Sequence, residues 1–166
     1  MDLKTLYEED TVAWAETQAA ALRAAAQGGS NRQLDWENLA EEIEDLAKSE
    51  RRSLHSHIRR IIEHLIKLEH SPADRPHRRW RQSIRNARVE AEDRLAESPS
   101  LKPELAQIIA QETERGARLA IAALDERNEL SRSLQQILKA QSYQESFSYT
   151  AEQILGDWFP PEPTSG

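Results

Sequence analysis

From Trp36 to His70 the chain reads WENLAEEIEDLAKSERRSLHSHIRRIIEHLIKLEH, without a single proline or glycine. Such a run lacks both residues that break an α-helix, the one by removing a backbone donor and the other by its extra backbone entropy. Its apolar residues Ala40, Ile43, Ala47, Leu54, Ile58, Ile61, Leu65 and Leu68 recur at three- and four-residue steps, which places them along one helical face. One helix is predicted over 36 to about 69, about 50 Å long at 1.5 Å per residue. No single neighbour of ordinary length covers a stripe of that reach. At least two other helices must share it, and the fold class that follows is all-α.

The flanking segments supply those helices. Asp10 is placed to cap a first helix over roughly 11–27, with Trp14, Ala15, Ala21, Leu22 and Ala25 as its face, Gln18 as a polar interruption and Gly28-Gly29 as its stop. The stretch SNRQL is a turn. After the prolines of HSPADRP, Asp74 can cap a third helix over about 75–97 with Trp80, Ile84, Ala87, Ala91 and Leu95 inward. Ser100 can cap a fourth over about 101–124, with Pro103 in its first turn and Leu105, Ile108, Ile109, Leu119 and Leu124 available to the core; Gly116 permits close packing. LSRSLQQILKAQ reads as one more short amphipathic helix. Thr150 and Gln153 form a capping box before a last turn. Sparse β-branched and aromatic residues give no alternation of the strand type. The expected architecture is an irregular up-down helical bundle of about four main helices plus one or two short C-terminal ones. It is one domain over residues 1–166, ordered over about 6–160, with a frayed tail at 161–166.

Hydrophobic residues make up 38% of the chain, charged residues 31%, and mean hydropathy is −0.78, so the core must be economical. With no cysteine, disulfides, thiolate metal sites and cysteine nucleophiles are excluded, and a reducing cytoplasm is the expected location. The acidic start MDLKTLYEED lacks the basic flank and apolar run of a secretory signal, and no window approaches the apolar length of a membrane span. A soluble intracellular chain with no membrane partner is expected.

Net charge is −7, but it is unevenly spread. Residues 1–50 carry 4 basic against 12 acidic side chains, residues 51–88 carry 11 against 3, and residues 89–166 carry 7 against 14. A basic centre between acidic ends either neutralises itself by packing acid on base or presents an anion-binding face.

Several blocks, LYEEDTVAWAETQAAALRA, LDWENLAEEIEDLAKSERRSL, HLIKLEH, RRWRQSIR, ESPSL and YTAEQIL, together resemble the bacterial, cyanobacteria-rich family catalogued as "domain of unknown function twenty-nine". They occur in that family's order across about residues 6 to 160. The resemblance implies an all-helical fold and supplies no activity. One departure is ESFS before YT, where the family's pattern leads one to expect a proline-containing turn.

The candidate chemistry lies on two segments. Glu50, His57 and His64 fall in the apolar sector of the long helix and are expected to be at least partly buried, Glu50 and His57 at its edge, bonded to Arg or Trp groups of neighbouring helices. They are seven residues apart, about 10 Å along the axis, so no two of them can ligate one metal unaided. Arg60 and His64 lie one turn apart, and the Arg59-to-His64 spacing resembles the Arg-x4-to-6-His signature of the HEPN ribonucleases. That resemblance implies His64 acting on a 2'-hydroxyl or leaving oxygen and an arginine, here Arg60, stabilising phosphorane charge. It departs from the signature in that Arg59 lies about 140° around the helix from His64, and in that Arg60 stands where a polar Asn, Asp or His is usual. Such an enzyme would work as a homodimer with two of these helices facing one cleft.

The second segment, RPHRRWRQSIRNAR, offers Arg75, Arg78, Arg79, Arg81, Arg85 and Arg88 as an anion-binding set, with Trp80 either core or a stacking platform. The same arginines have an alternative partner in the acids Glu41, Glu42, Glu44 and Asp45 of EEIED. Those acids read as a solvated face rather than a cation site. There is no glycine-rich phosphate loop and no serine nucleophile elbow; no cofactor and no metal are expected. The reading that follows is a non-enzymatic interaction module whose basic centre meets an unknown protein or other anionic partner, nucleic acid among them. The alternative is the metal-independent ribonuclease.

Overall fold

The computed structural model describes residues 2–29, 35–71 and 77–161. Among them every regular element is helical, and the protein is all-α. In chain order the helices are α1 (Leu3–Glu9), α2 (Thr11–Gln27), α3 (Trp36–His70), α4 (His77–Glu97), α5 (Leu105–Glu126), α6 (Arg132–Ala140), α7 (Tyr143–Ser146) and α8 (Ala151–Leu155), with a 3-10 segment, Pro99–Glu104, ahead of α5. The proline-free, glycine-free run is one unbroken helix. Seven of its eight stripe residues are buried, and Ile43 alone is half-buried. The expected turn SNRQL, the Asp74 cap and the tail beyond 161 lie outside the described residues.

The chain forms two compact units, each discontinuous in sequence. Unit one is Met1–Leu54 with Asp93–Glu104, and unit two is His55–Glu92 with Leu105–Gly166.

Unit one is organised around Asp10. Its backbone, at φ −157°, leaves the helical region, and its N–H donates to the Leu6 carbonyl at 2.8 Å to close α1. Its Oδ1 accepts from the Ala13 N–H at 2.8 Å to open α2. The same carboxylate accepts from the Ser100 N–H at 2.6 Å and the Ser100 hydroxyl at 2.9 Å. Ser100 therefore does not cap the fourth helix. Bonds to an ionised carboxylate outweigh a neutral cap, and with Pro103 in the next turn the chain winds as a 3-10 segment until α5 begins at Leu105.

The core of this unit is built from small residues. Val12, Ala15, Ala19, Ala40 and Ala47 are buried, closed by Leu54, Leu95 and Leu101. The face of α2 differs from the expected one: Ala21 is exposed, Leu22 and Ala25 are half-buried, and Trp14 packs edge-on against Tyr7 of the unanticipated α1, ring centroids 4.9 Å apart. Arginines bind across the unit: Arg51 to both oxygens of Glu104 and to Glu16, Arg23 to Glu37 and Glu44, and Arg94 to Glu50 and Glu97.

Unit two holds the larger side chains. Ile58, Ile61, Ile62, Leu65 and Ile66 of α3 are buried, as are Trp80 and Ile84 of α4 and Ile108, Ile121 and Leu124 of α5. At Gly116 α5 lies close against α3. A Cβ there would lie 3.1 Å from the Arg59 carbonyl oxygen and 3.1 Å from Ile62 Cγ2 on α3, so only glycine fits without displacement. Leu119, expected inside, is exposed. Three short C-terminal helices follow rather than one or two. Ser131 caps α6 by accepting from the Leu134 N–H at 3.2 Å, buried Tyr143 and Phe147 anchor α7, and the Thr150–Gln153 capping box opens α8.

Candidate functional site

The basic run lies on α4, and within unit two its arginines divide into two roles. Arg88 is buried, and its Nε donates to the Ile154 carbonyl at 2.8 Å while one terminal nitrogen donates to the carbonyls of Gln153 at 2.8 Å and Trp158 at 2.6 Å. Loss of water holds its guanidinium below the ordinary arginine range, opposed by Asp157 and assisted by Arg85. Arg88 thus fastens the segment after α8, satisfying carbonyls that the short helix leaves open.

Arg78, Arg79 and Arg85 are exposed and make no ion pair among the described residues; Arg81 is half-buried. Arg75 lies outside the described residues. The guanidinium carbons of Arg81, Arg85 and Arg88 lie 5.6, 5.4 and 4.8 Å from the centroid of one ring, Phe159. An aromatic face holds a guanidinium through its quadrupole without neutralising it. Trp80 is core, with Arg127 5.5 Å from its ring. Of the acids offered as alternative partners, Glu44 pairs with Arg23 and Lys48, and Asp45 with Lys48.

His64 and Arg60 differ in their surroundings. Arg60 is exposed, whereas the His64 side chain is only 16% exposed. Its Nδ1 is buried without a hydrogen-bond partner, 3.8 Å from Glu63, a carboxylate that also holds Lys67. Burial lowers its pKa to about 4; Glu63 opposes that shift, and Lys67 and Arg60 add to it. His64 is therefore neutral at pH 7. Glu50 is half-buried and accepts from Arg94 at 3.0 Å. His57 is half-buried.

A polar cluster that the sequence reading passed over sits on α5. Glu112 is fully buried; its Oε1 lies 2.8 Å from His55 Nδ1 and 2.8 Å from an Arg115 nitrogen, and its Oε2 lies 3.2 Å from Arg59 Nε. The signal was available: at helical spacing Glu112 lies about 60° from Ile109 and about 40° from Gly116, beside the apolar face, where a buried carboxylate demands cationic partners. This arrangement also occupies Arg59, the residue whose spacing to His64 drew attention. A second buried-edge group, the Tyr149 hydroxyl, donates to Glu69 at 2.7 Å, and burial together with that carboxylate raises its pKa.

Two open pockets of about 260 and 290 Å³ lie on unit two. The first is lined by Ile109, Thr113, Phe147 and Tyr149 among others, the second by Glu114, Arg118 and Tyr143 among others. Neither is lined by Arg60 or His64. Among the described residues no group of three or more His, Asp or Glu is placed to hold a metal ion, and no helix is long and apolar enough to cross a membrane.

Residues 6–159 match the family model described as Domain of unknown function DUF29. Among solved structures, the chain is similar to an alpha-helical protein of unknown function from Rhodospirillum rubrum. The two are 27% identical, with a TM-score of 0.70 over 93% of this chain and 91% of that one. No curated protein matches.

Proposed function

The chain belongs to that family, and from this premise we propose that it is a non-enzymatic, cytoplasmic interaction module that meets an anionic partner through the exposed arginines of α4. The observation that carries the reading is the combination of Arg78, Arg79 and Arg85, exposed and without ion pairs among the described residues, with the cation–π contact of Arg85 at the Phe159 ring. Such a contact holds a guanidinium beside the ring without neutralising it, which leaves its charge for a carboxylate or phosphate. An arginine ordered in advance loses less side-chain entropy on binding than a free one.

The test is fluorescence anisotropy of labelled single-stranded RNA and of a labelled poly-glutamate peptide against the purified chain, at two salt concentrations. Micromolar binding of at least one probe is expected, weakening with salt as counterions are retaken. Replacing Arg78, Arg79 and Arg85 together by glutamate should abolish it while circular dichroism stays unchanged. Binding that survives the triple substitution removes α4 as the surface. The alternative, a ribonuclease using Arg60 and His64, is read in the same samples: cleavage of the RNA by wild type, lost in His64→Ala, would replace the non-enzymatic reading.

A further inference from the structure

On α2 and α3 unit one buries small side chains beside several large ones that it displays. On α3, Ala40 and Ala47 are fully buried, while their immediate neighbours Leu39 and Leu46 are 41% and 48% exposed. On α1, which buries no residue at all, Leu3 and Tyr7 are exposed as well. Four of the seven exposed large apolar side chains of the described chain therefore lie in a unit that holds under half of its residues. Scattered exposed leucines are ordinary, but these are ordered. Leu39, Ile43 and Leu46 fall within an arc of about 60° on the helix, and the seven-residue step from Leu39 to Leu46 is the repeat by which one helix receives another.

The rim of this stripe has a definite charge. Glu42 lies about 60° from Leu39, at the edge of the stripe. It is exposed and makes no ion pair among the described residues, unlike Glu44 and Asp45. Unit one as a whole carries 8 Lys and Arg against 15 Asp and Glu, a net charge of −7. We propose that the Leu39–Ile43–Leu46 face docks a basic amphipathic helix of another protein, its apolar residues at three- and four-residue steps on the stripe and its Lys or Arg flank against Glu42. A second copy of the chain fits this face less well. Antiparallel self-pairing sets Glu42 beside Glu42, and the charge of the unit opposes self-association. The seam spans about two helical turns, so the complex is of the weak, transient kind.

The experiment is a selection of random 16-residue displayed peptides on the full-length chain, counter-selected against a Leu39→Ser/Leu46→Ser variant shown to be folded by circular dichroism. A Glu42→Gln variant, which leaves the apolar stripe intact, reads the charge contribution separately. Enriched peptides should be basic and carry Leu, Ile, Phe or Met at three- and four-residue steps. Synthesised, they should bind wild type in the micromolar range, about 10-fold more weakly to the leucine variant and about 3-fold more weakly to the glutamine variant. No enrichment, enrichment of neutral or acidic peptides, or equal affinity for the leucine variant overturns the proposal. So does a concentration-dependent dimer of wild type, seen by sizing and absent from the leucine variant, because the occupant is then a second copy.

Discussion

Replacing Glu112 by glutamine removes one charge and changes almost no volume, at the point where α5 meets α3. His55 and Arg115 bond to Oε1 of that fully buried carboxylate, and Arg59 pairs with it as a charge 3.2 Å from Oε2. A hydrogen bond to a charged group contributes about 1.5–3 kcal/mol, against about 1 kcal/mol for a neutral one. Glutamine keeps one acceptor oxygen but turns its NH2 toward another donor, so one of the three contacts is lost and the others lose their charge assistance. The partners are not sealed in: the side chains of His55, Arg59 and Arg115 are 22%, 33% and 60% exposed. Each recovers some water when the carboxylate goes, which keeps the loss below that of a wholly buried pair. The expected destabilisation is about 2–3 kcal/mol, and at about 2–4 °C per kcal/mol for a domain of this size the thermal midpoint falls by about 4–12 °C. Urea unfolding should show a lower midpoint with an unchanged slope. Arg115→Ala is the control, because that arginine is mostly exposed and on the same helix; it should cost at most about 0.5 kcal/mol. A Glu112→Gln variant within about 0.5 kcal/mol of wild type, or an Arg115→Ala variant costing as much as it, would refute the assignment of Glu112 as the clamp between the two helices.

Other perturbations have separable outcomes. Asp10→Ala removes a helix cap and both bonds to Ser100, so it should destabilise by about 2–3 kcal/mol in urea, whereas Ser100→Ala, which leaves the backbone bond, should cost about 1 kcal/mol. Arg88→Met leaves three carbonyls without their donor; hydrogen exchange should accelerate at residues 151–159 well before the rest of the chain, and uniform protection there would contradict the anchoring role. For His64, the folded-state pKa of about 4 lies below the ordinary value of 6.5, so the unfolded chain takes up the proton first as pH falls. The stability due to the neutral imidazole is whole above pH 6.5 and is lost on acidification toward pH 4. With a partly hydrated ring the loss is about 2 kcal/mol. His64→Leu should flatten the stability profile over that window, and parallel profiles for the two proteins would argue against the effect.

The fold was legible where periodicity and breakers agree. The long helix follows from the absence of proline and glycine between Trp36 and His70, and its buried stripe from three- and four-residue spacing, both local properties. What escaped the sequence depends on partners far along the chain. Asp10 reads as a cap for one helix, but its second set of donors comes from Ser100, which displaces the start of α5 to Leu105. The face of α2 was misplaced because alanines carry little register information; burial of Ala19 rather than Ala21 is decided by the neighbours. Of the candidate sites, the arginine-rich segment was visible as composition, but the division between buried Arg88 and exposed Arg78, Arg79 and Arg85 rests on the carbonyls of Gln153, Ile154 and Trp158, far along the chain. Glu112 was missed because only the apolar positions of its helix were read, and two of its partners, His55 and Arg59, lie far away in sequence.

The bond between Asp10 and Ser100 spans 90 positions of the chain, and that separation sets an order of events during synthesis. At about 5–20 residues per second, Asp10 is made roughly 5–18 seconds before its partner. Throughout that interval the first two helices have neither the Ser100 donors nor the Leu101 side chain that closes their core, and their alanine-rich faces are too small to hold together alone. The amino-terminal quarter of the protein is thus a waiting segment, completed only when the ribosome has passed residue 104. Nascent chains arrested before that point should remain open to protease between residues 11 and 27, and chains arrested some thirty residues later, once residue 104 has cleared the exit tunnel, should be closed to it.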